Sequence, residues 1–231
     1  MTGVEPPVGG PIAGTEGVKI HRVLSGHSAV YIVMSGPDEA VLIDAGMEED
    51  AGNLRATLAE LGVQAVKAIF VTHAHMDHVA GLHEFGDADV YAHEAEFPFL
   101  RGETRGHGFV GLMAGKLPTA DVVKQERLRA VEDGQSITIG SATITAYATP
   151  GHTEGSMSYQ AGNVVCVGDL LFVDPKGNVQ LPPRMITPDP EVATESIKQL
   201  ARRTADKGID IVLPSHSGAG TYDALRSFAE K

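Results

Sequence analysis

The stretch VKAIFVTHAHMDHVAG (Val66–Gly81) packs an apolar run directly against four potential metal ligands within six residues. The run Val66–Val71, flanked by polar and glycine-containing segments, reads as a buried strand. In an extended chain, positions i and i+2 point to the same side, so His73 and His75 can face one ion together. A turn into helix after His75 would carry Asp77 and His78 to the other side of that ion, where they can face a second. Ligands at the end of a buried strand sit where open α/β sheets place their binding sites. Imidazole and carboxylate suit zinc and also accept iron or manganese.

Working outward, the runs VKIHRVL, SAVYIVM and EAVLIDA between Val18 and Ala45 are short and β-branched, separated by turn signals at Ser25-Gly26-His27 and Ser35-Gly36-Pro37-Asp38. Leu54, Leu58 and Leu61 follow a helical period that Gly62 would end. Residues 94–124 read as a helical or loop insertion rather than a second domain. Strands return at ITIGSATIT, a hairpin around Gly140-Ser141, and at NVVCVGDLLF. A helix over Glu191–Ala205, a last strand IDIVLPSH and a short helix over Tyr222–Ala229 close the chain. Two groups of strands, each finishing in helix–strand alternation, predict two sheets packed face to face with helices outside. Residues 18–231 are expected to form this single domain, and the Gly- and Pro-rich residues 1–17 a flexible arm.

Composition narrows the function. The chain has 231 residues with 42% hydrophobic and 21% charged, a globular balance. Lys and Arg number 18 against 30 Asp and Glu, a formal charge of −12, which argues against a phosphate-tracking protein and hence against nucleic acid. No run approaches the roughly 20 apolar residues of a membrane span. The N-terminus has neither the charges nor the apolar core of a secretory signal, and the single cysteine, Cys166, lies in an apolar strand. The expectation is a cytoplasmic protein without membrane partners, its oligomeric state open. No glycine-rich phosphate loop is present, so nucleotide cofactors lack a motif.

Three further candidate ligands each follow an apolar run and precede a turn: His152 in TPGHTEGS, Asp169 in VGDLLF and His216 in LPSHSG. With LIDAG and THAHMDHVAG these motifs, in this order, resemble the metallo-β-lactamase superfamily from Val18 onward. The resemblance implies an α/β fold, a four-layer αβ/βα sandwich of two mixed β-sheets with outer helices and a metal cleft at one edge. It also implies a division of ligands. His73, His75 and His152 would hold one ion, Asp77, His78 and His216 the second, and Asp169 would bridge both, with two Zn2+ per chain or Fe2+ or Mn2+ in their place. Two cations about 3.5–4 Å apart can share a water and lower its pKa towards about 7, supplying hydroxide for attack on a carbonyl or phosphorus centre. Asp77 would also serve catalysis by accepting a hydrogen bond from that water. Asp44, closing LIDAG, resembles a position that braces the ligand loop; a plain turn aspartate is the other reading.

The expected reaction is hydrolysis of a small-molecule ester, thioester or lactone, extending to phosphoesters or β-lactams. Hydroxyacylglutathione hydrolases of the family share the ligand set, but only about fifteen residues follow His216, where those enzymes carry a helical region that holds glutathione. Acyl-homoserine lactonases often place a tyrosine soon after the bridging aspartate, and Asp169-Leu170-Leu171-Phe172-Val173 has none. Two other classes compete. A persulfide dioxygenase would use one iron on His73, His152 and Asp169; a non-catalytic metal-binding protein would be supported by lost ligands, and none is lost. For substrate contacts, His107 in RGHGFVG is a candidate pocket wall. Arg184 in QLPPRM is either a carboxylate anchor or a solvated loop arginine. Specificity is expected in residues 94–124 and 174–188.

Overall fold

Successive residues of the central strands alternate between two different apolar layers, and this alternation generates the architecture. In the computed structural model, which describes residues 10–12, 17–26, 28–104 and 123–231, Ala29, Tyr31 and Val33 point into one layer, while Val30 and Ile32 point into another. A strand buried on both faces must be apolar at every position, which is why SAVYIVM and VVCVG lack a polar stripe.

The first sheet has seven strands in chain order: β1 (Gly10–Pro11), β2 (Ile20–Ser25), β3 (Ser28–Met34), β4 (Glu39–Ile43), β5 (Ala65–Phe70), β6 (Asp89–Ala92) and β7 (Leu128–Ala130). It is antiparallel from β1 to β4 and parallel from β4 to β7. The second sheet uses β8 (Ser136–Ile139), β9 (Ala142–Ala148), β10 (Met157–Ala161), β11 (Val164–Gly168), β14 (Ile211–Pro214) and β15 (Gly220–Thr221) in the order β15-β14-β11-β10-β9-β8. Only its β11–β14 pair is parallel. A ribbon of β12 (Phe172–Val173) and β13 (Val179–Gln180) stands apart.

Three apolar layers hold four structural layers together. Ile20, Tyr31, Ile43 and Phe70 meet Ile144, Met157, Tyr159 and Leu213 between the sheets. Leu54 and Leu58 of helix α1 (Ala51–Glu60) cover the outer face of the first sheet. Ala193, Ile197 and Leu200 of a helix over Pro190–Arg203 cover the second sheet with Leu225 from the helix over Tyr222–Ala229. The expected αβ/βα sandwich of mixed sheets is the one observed. The hairpin at Gly140-Ser141 and the last helix lie where the sequence places them. The Pro190–Arg203 helix starts one residue early because the Asp189 side chain accepts the Val192 N–H and Pro190 occupies the first turn.

Two expectations need adjustment. NVVCVGDLLF is not one strand. It stops at Gly168, whose φ of 56° turns the chain so that Asp169 leaves the sheet edge, and Phe172–Val173 joins the separate ribbon. Of the expected N-terminal arm, residues 1–9 and 13–16 lie outside the described residues, whereas Gly10 and Pro11 pair with Arg22 and His21 of β2. Much of the 94–124 insertion, residues 105–122 with His107, also lies outside them. Among the described residues, no helix is long and apolar enough to cross a membrane.

Candidate metal centre

Beyond β5 the chain stays extended through His75 (φ −76°, ψ 153°) and then enters a single helical turn, Met76–Val79. His73 and His75 therefore share one side, and the turn swings Asp77 and His78 to the other. His152 comes from the loop between β9 and β10, Asp169 from the turn after β11, and His216 from the loop after β14. All seven side chains come together at the edge where the two sheets meet. Among the described residues, three groups have ligand atoms close enough to hold an ion: His73, His75 and His152; His73, His78 and Asp169; and Asp77, His78 and His216.

The three-histidine group is the tightest. Nε2 of His73 lies 3.0 Å from Nδ1 of His75, Nε2 of His152 lies 3.0 Å from Nε2 of His73, and 2.9 Å separates Nε2 of His152 from Nδ1 of His75. Three nitrogens in mutual contact cannot all be paired by hydrogen bonds, because each ring nitrogen carries either a proton or a lone pair and so is a donor or an acceptor but not both. Zinc bound at about 2.0–2.1 Å by a tetrahedral set needs nitrogens about 3.3 Å apart, so a small outward relaxation fits the triangle to an ion. Burial, helped by neighbouring His78 and His152, holds His73 well below the usual histidine range. Burial and then His152 and His78 hold His75 down to about 4. These are neutral lone pairs at neutral pH, the form a metal requires.

The second group is dominated by negative charge. His216 Nε2 lies 3.2 Å from Asp77 Oδ2 and 3.1 Å from Asp169 Oδ2, and His78 Nε2 lies 3.4 Å from Asp169 Oδ1. Asp169 also reaches to 3.6 Å from His152, so it stands between the two groups. Burial alone would lower His78, but the carboxylates of Asp44 and Asp169 raise it well above its usual range. Burial likewise opposes His216, yet hydrogen bonds to Asp169 and Asp77 push it up to about 10. Buried His78 Nε2 and Asp169 Oδ1 make no hydrogen bond. Unpaired buried polar atoms are costly, and a divalent cation between them would satisfy both. The residues present fit a metal centre.

Two buried carboxylates hold the ligands from behind. Asp44 has φ 62°, a backbone conformation uncommon outside glycine. Its Oδ1 accepts the Thr72 N–H at 2.7 Å, and its Oδ2 accepts the Thr72 hydroxyl at 2.8 Å. The same Oδ2 lies 2.8 Å from His78 Nδ1, which fixes the Nδ1–H tautomer and leaves Nε2 facing the site. Glu96 carries no motif and was not anticipated. It is 1% exposed and accepts bonds from the Ala74 N–H, the Thr153 hydroxyl and the Gly155 N–H. Nothing in HEAEFPFL separates it from Glu94, which is exposed. Arg184 is exposed at 79% and pairs with Glu191 at 3.2 Å, the arrangement of a solvated loop arginine.

The fold and these ligands define a class. A family model described as the metallo-beta-lactamase superfamily matches residues 23–216, and the chain belongs to that superfamily as a metallo-hydrolase. Among its relatives is the "Probable metallo-hydrolase YflN" of Bacillus subtilis (strain 168), 31% identical over an alignment of 219 positions that covers 82% of this chain and 82% of that one. A hydroxyacylglutathione hydrolase of Yersinia pestis (strain Pestoides F) is 30% identical over 75% of this chain, which spans only 56% of that enzyme. Among solved structures, a B3 metallo-beta-lactamase with an active-site glutamic acid superposes with a TM-score of 0.69 at 25% identity, covering 98% of this chain and 87% of its own. A metallo-beta-lactamase from Pontibacter korlensis gives 0.68 at 20% identity, covering 96% and 97%, a likeness of fold.

Proposed function

We propose that the chain is a dinuclear metal hydrolase, with two Zn2+ as the working ions, that cleaves small esters, thioesters or lactones. The observation that carries this reading is the placement of Asp169 between two ligand groups, 3.6 Å from His152 on one side and 3.1 Å from His216 on the other. His73, His75 and His152 would hold the first ion and Asp77, His78 and His216 the second. Bound there, the pair would supply hydroxide at neutral pH and polarise the oxygen that gains charge. Asp77, with a side chain 33% exposed, is the most open carboxylate of the set. Burial would raise it, but the hydrogen bond from His216 and the neighbouring His78 keep it below the usual carboxylate range. It thus stays ionised and can accept a hydrogen bond from the attacking water. The similarity to a hydroxyacylglutathione hydrolase supports the thioester among the candidate substrates.

The test is elemental analysis of the untagged protein, followed by a panel of thioesters, lactones and esters with and without chelator. The expected result is about two zinc ions per chain and hydrolysis that chelator abolishes and zinc restores. About one iron per chain, with oxygen consumed in the presence of glutathione persulfide, would replace this reading by sulfur oxygenation.

A further inference from the structure

We propose that Glu96 is a positioning residue that locks the His73/His75 loop to the His152 loop and thereby sets the affinity of the three-histidine site. This rests on the reading of those histidines as metal ligands. The two loops come from different sheets. His73 and His75 follow β5 of the first, and His152 precedes β10 of the second. Glu96 belongs to neither, lying in a short 3-10 turn, Glu94–Glu96, after β6. Its Oε2 accepts the N–H of Ala74, the residue between His73 and His75, at 2.8 Å. Its Oε1 accepts the Thr153 hydroxyl at 2.7 Å and the Gly155 N–H at 3.1 Å, immediately beyond His152. One carboxylate therefore spans the gap that the three imidazoles must close.

The bonds are chemically specific. All three partners are donors, so both oxygens act only as acceptors, and a group buried this deeply needs such partners to be tolerated. The Thr153 hydroxyl also contacts Ser156 Oγ at 2.8 Å, and Ser156 Oγ accepts the Thr153 N–H at 3.0 Å, so the grip extends around the His152 loop. The imidazole nitrogens sit 2.9–3.0 Å apart and must settle at about 3.3 Å around an ion, so a loop free to drift beyond that spacing weakens the site. Partners behind metal ligands typically account for about 10–100-fold in metal affinity.

Glu96→Gln tests this with little change in shape. A glutamine has one acceptor and one NH2 group. Whichever way it turns, either the Ala74 N–H or the Thr153/Gly155 pair meets a donor instead of an acceptor. Metal-free protein is titrated with Co2+ against a chromophoric chelator, with the visible d–d bands recorded at each addition. For E96Q the expected result is an affinity about 10–100-fold lower at the three-histidine site, with altered bands for that ion. The Asp77/His78/His216 site keeps its affinity. Thr153→Val removes one of the three bonds to Glu96, together with the contact to Ser156 Oγ, and is expected to fall between the wild type and E96Q. Should E96Q fail to fold, T153V alone decides. Unchanged cobalt affinity and bands in the folded variants overturn the proposal, as does equal weakening of both sites, which marks a general role in stability. A wild-type protein that takes up no Co2+ overturns the metal centre itself, a different failure from a wild type and variants that bind alike.

Discussion

In Asp44→Asn one carboxylate oxygen becomes an NH2 group, and the surroundings dictate which. The Thr72 N–H, 2.7 Å from Oδ1, needs an acceptor and holds the amide oxygen on that side. The NH2 then takes the place of Oδ2, 2.8 Å from His78 Nδ1 and 2.8 Å from the Thr72 hydroxyl. In the native protein Asp44 keeps a proton on His78 Nδ1, so that only the Nε2 proton has to leave when an ion binds. In the variant the amide donates to Nδ1, and the ring proton moves to Nε2, where it faces Asp169 Oδ1 at 3.4 Å. Ligation then requires returning that proton to Nδ1 against an opposing donor. The loss is one hydrogen bond to a charged group, about 1.5–3 kcal/mol, or about 10–150-fold in affinity for the ion held by His78. Asparagine tolerates the φ of 62° as well as aspartate does, so backbone strain does not confound the comparison. The assay is zinc competition with a chromophoric chelator, read beside hydrolytic activity. Wild-type affinity for both ions in D44N would refute the tautomer argument and return Asp44 to the role of a turn residue.

Acid should strip the ions in a fixed order. An ion at the Asp77/His78/His216 group must displace protons from His78 and from His216, whose pKa is raised to about 10, so its affinity falls as pH drops below that value. The three-histidine group, with His75 at about 4, is already deprotonated at neutral pH and should keep its ion down to about pH 4; metal retained after gel filtration at stepped pH gives the order, and the reverse order would contradict the charge assignment. Gly151→Ala should destabilise by about 2–3 kcal/mol in urea, since φ is 131° and a Cβ would lie 2.4 Å from the Ala193 backbone nitrogen. A loss under about 0.5 kcal/mol would show that the His152 loop is not seated on that helix. Tyr159→Phe should lose about 1–1.5 kcal/mol by leaving the buried Val71 carbonyl, 2.9 Å from the hydroxyl, without its partner. Equal urea midpoints for the two proteins would show that this bond adds nothing.

The sandwich was legible because its strands are buried on both faces, and unbroken apolar runs such as SAVYIVM leave few other places to put them. The seven clustered side chains were legible because HAHMDH concentrates four of them and the others each end an apolar run. The break at Gly168 was not, since a glycine between two apolar segments reads equally as strand interior. Glu96 was hidden for another reason. Its donors, Ala74, Thr153 and Gly155, are distant in sequence and include two backbone groups, which leave no residue-type signature. Braces of this kind exist only once the fold brings loops together.

The ligands are shared between the two halves of the sandwich, and so are the ties behind them. Tyr31 of the first sheet donates to the Pro214 carbonyl, two residues before His216, and Tyr159 of the second donates to the Val71 carbonyl, two residues before His73. Each half thus carries the fastening for a ligand on the other. An ion bound there would be a detachable cross-link across the seam, present or absent according to free metal. An ion at a hundred times its dissociation constant adds about 2.7 kcal/mol to the folded state. The working lifetime of the chain against proteases would thereby be tied to metal supply.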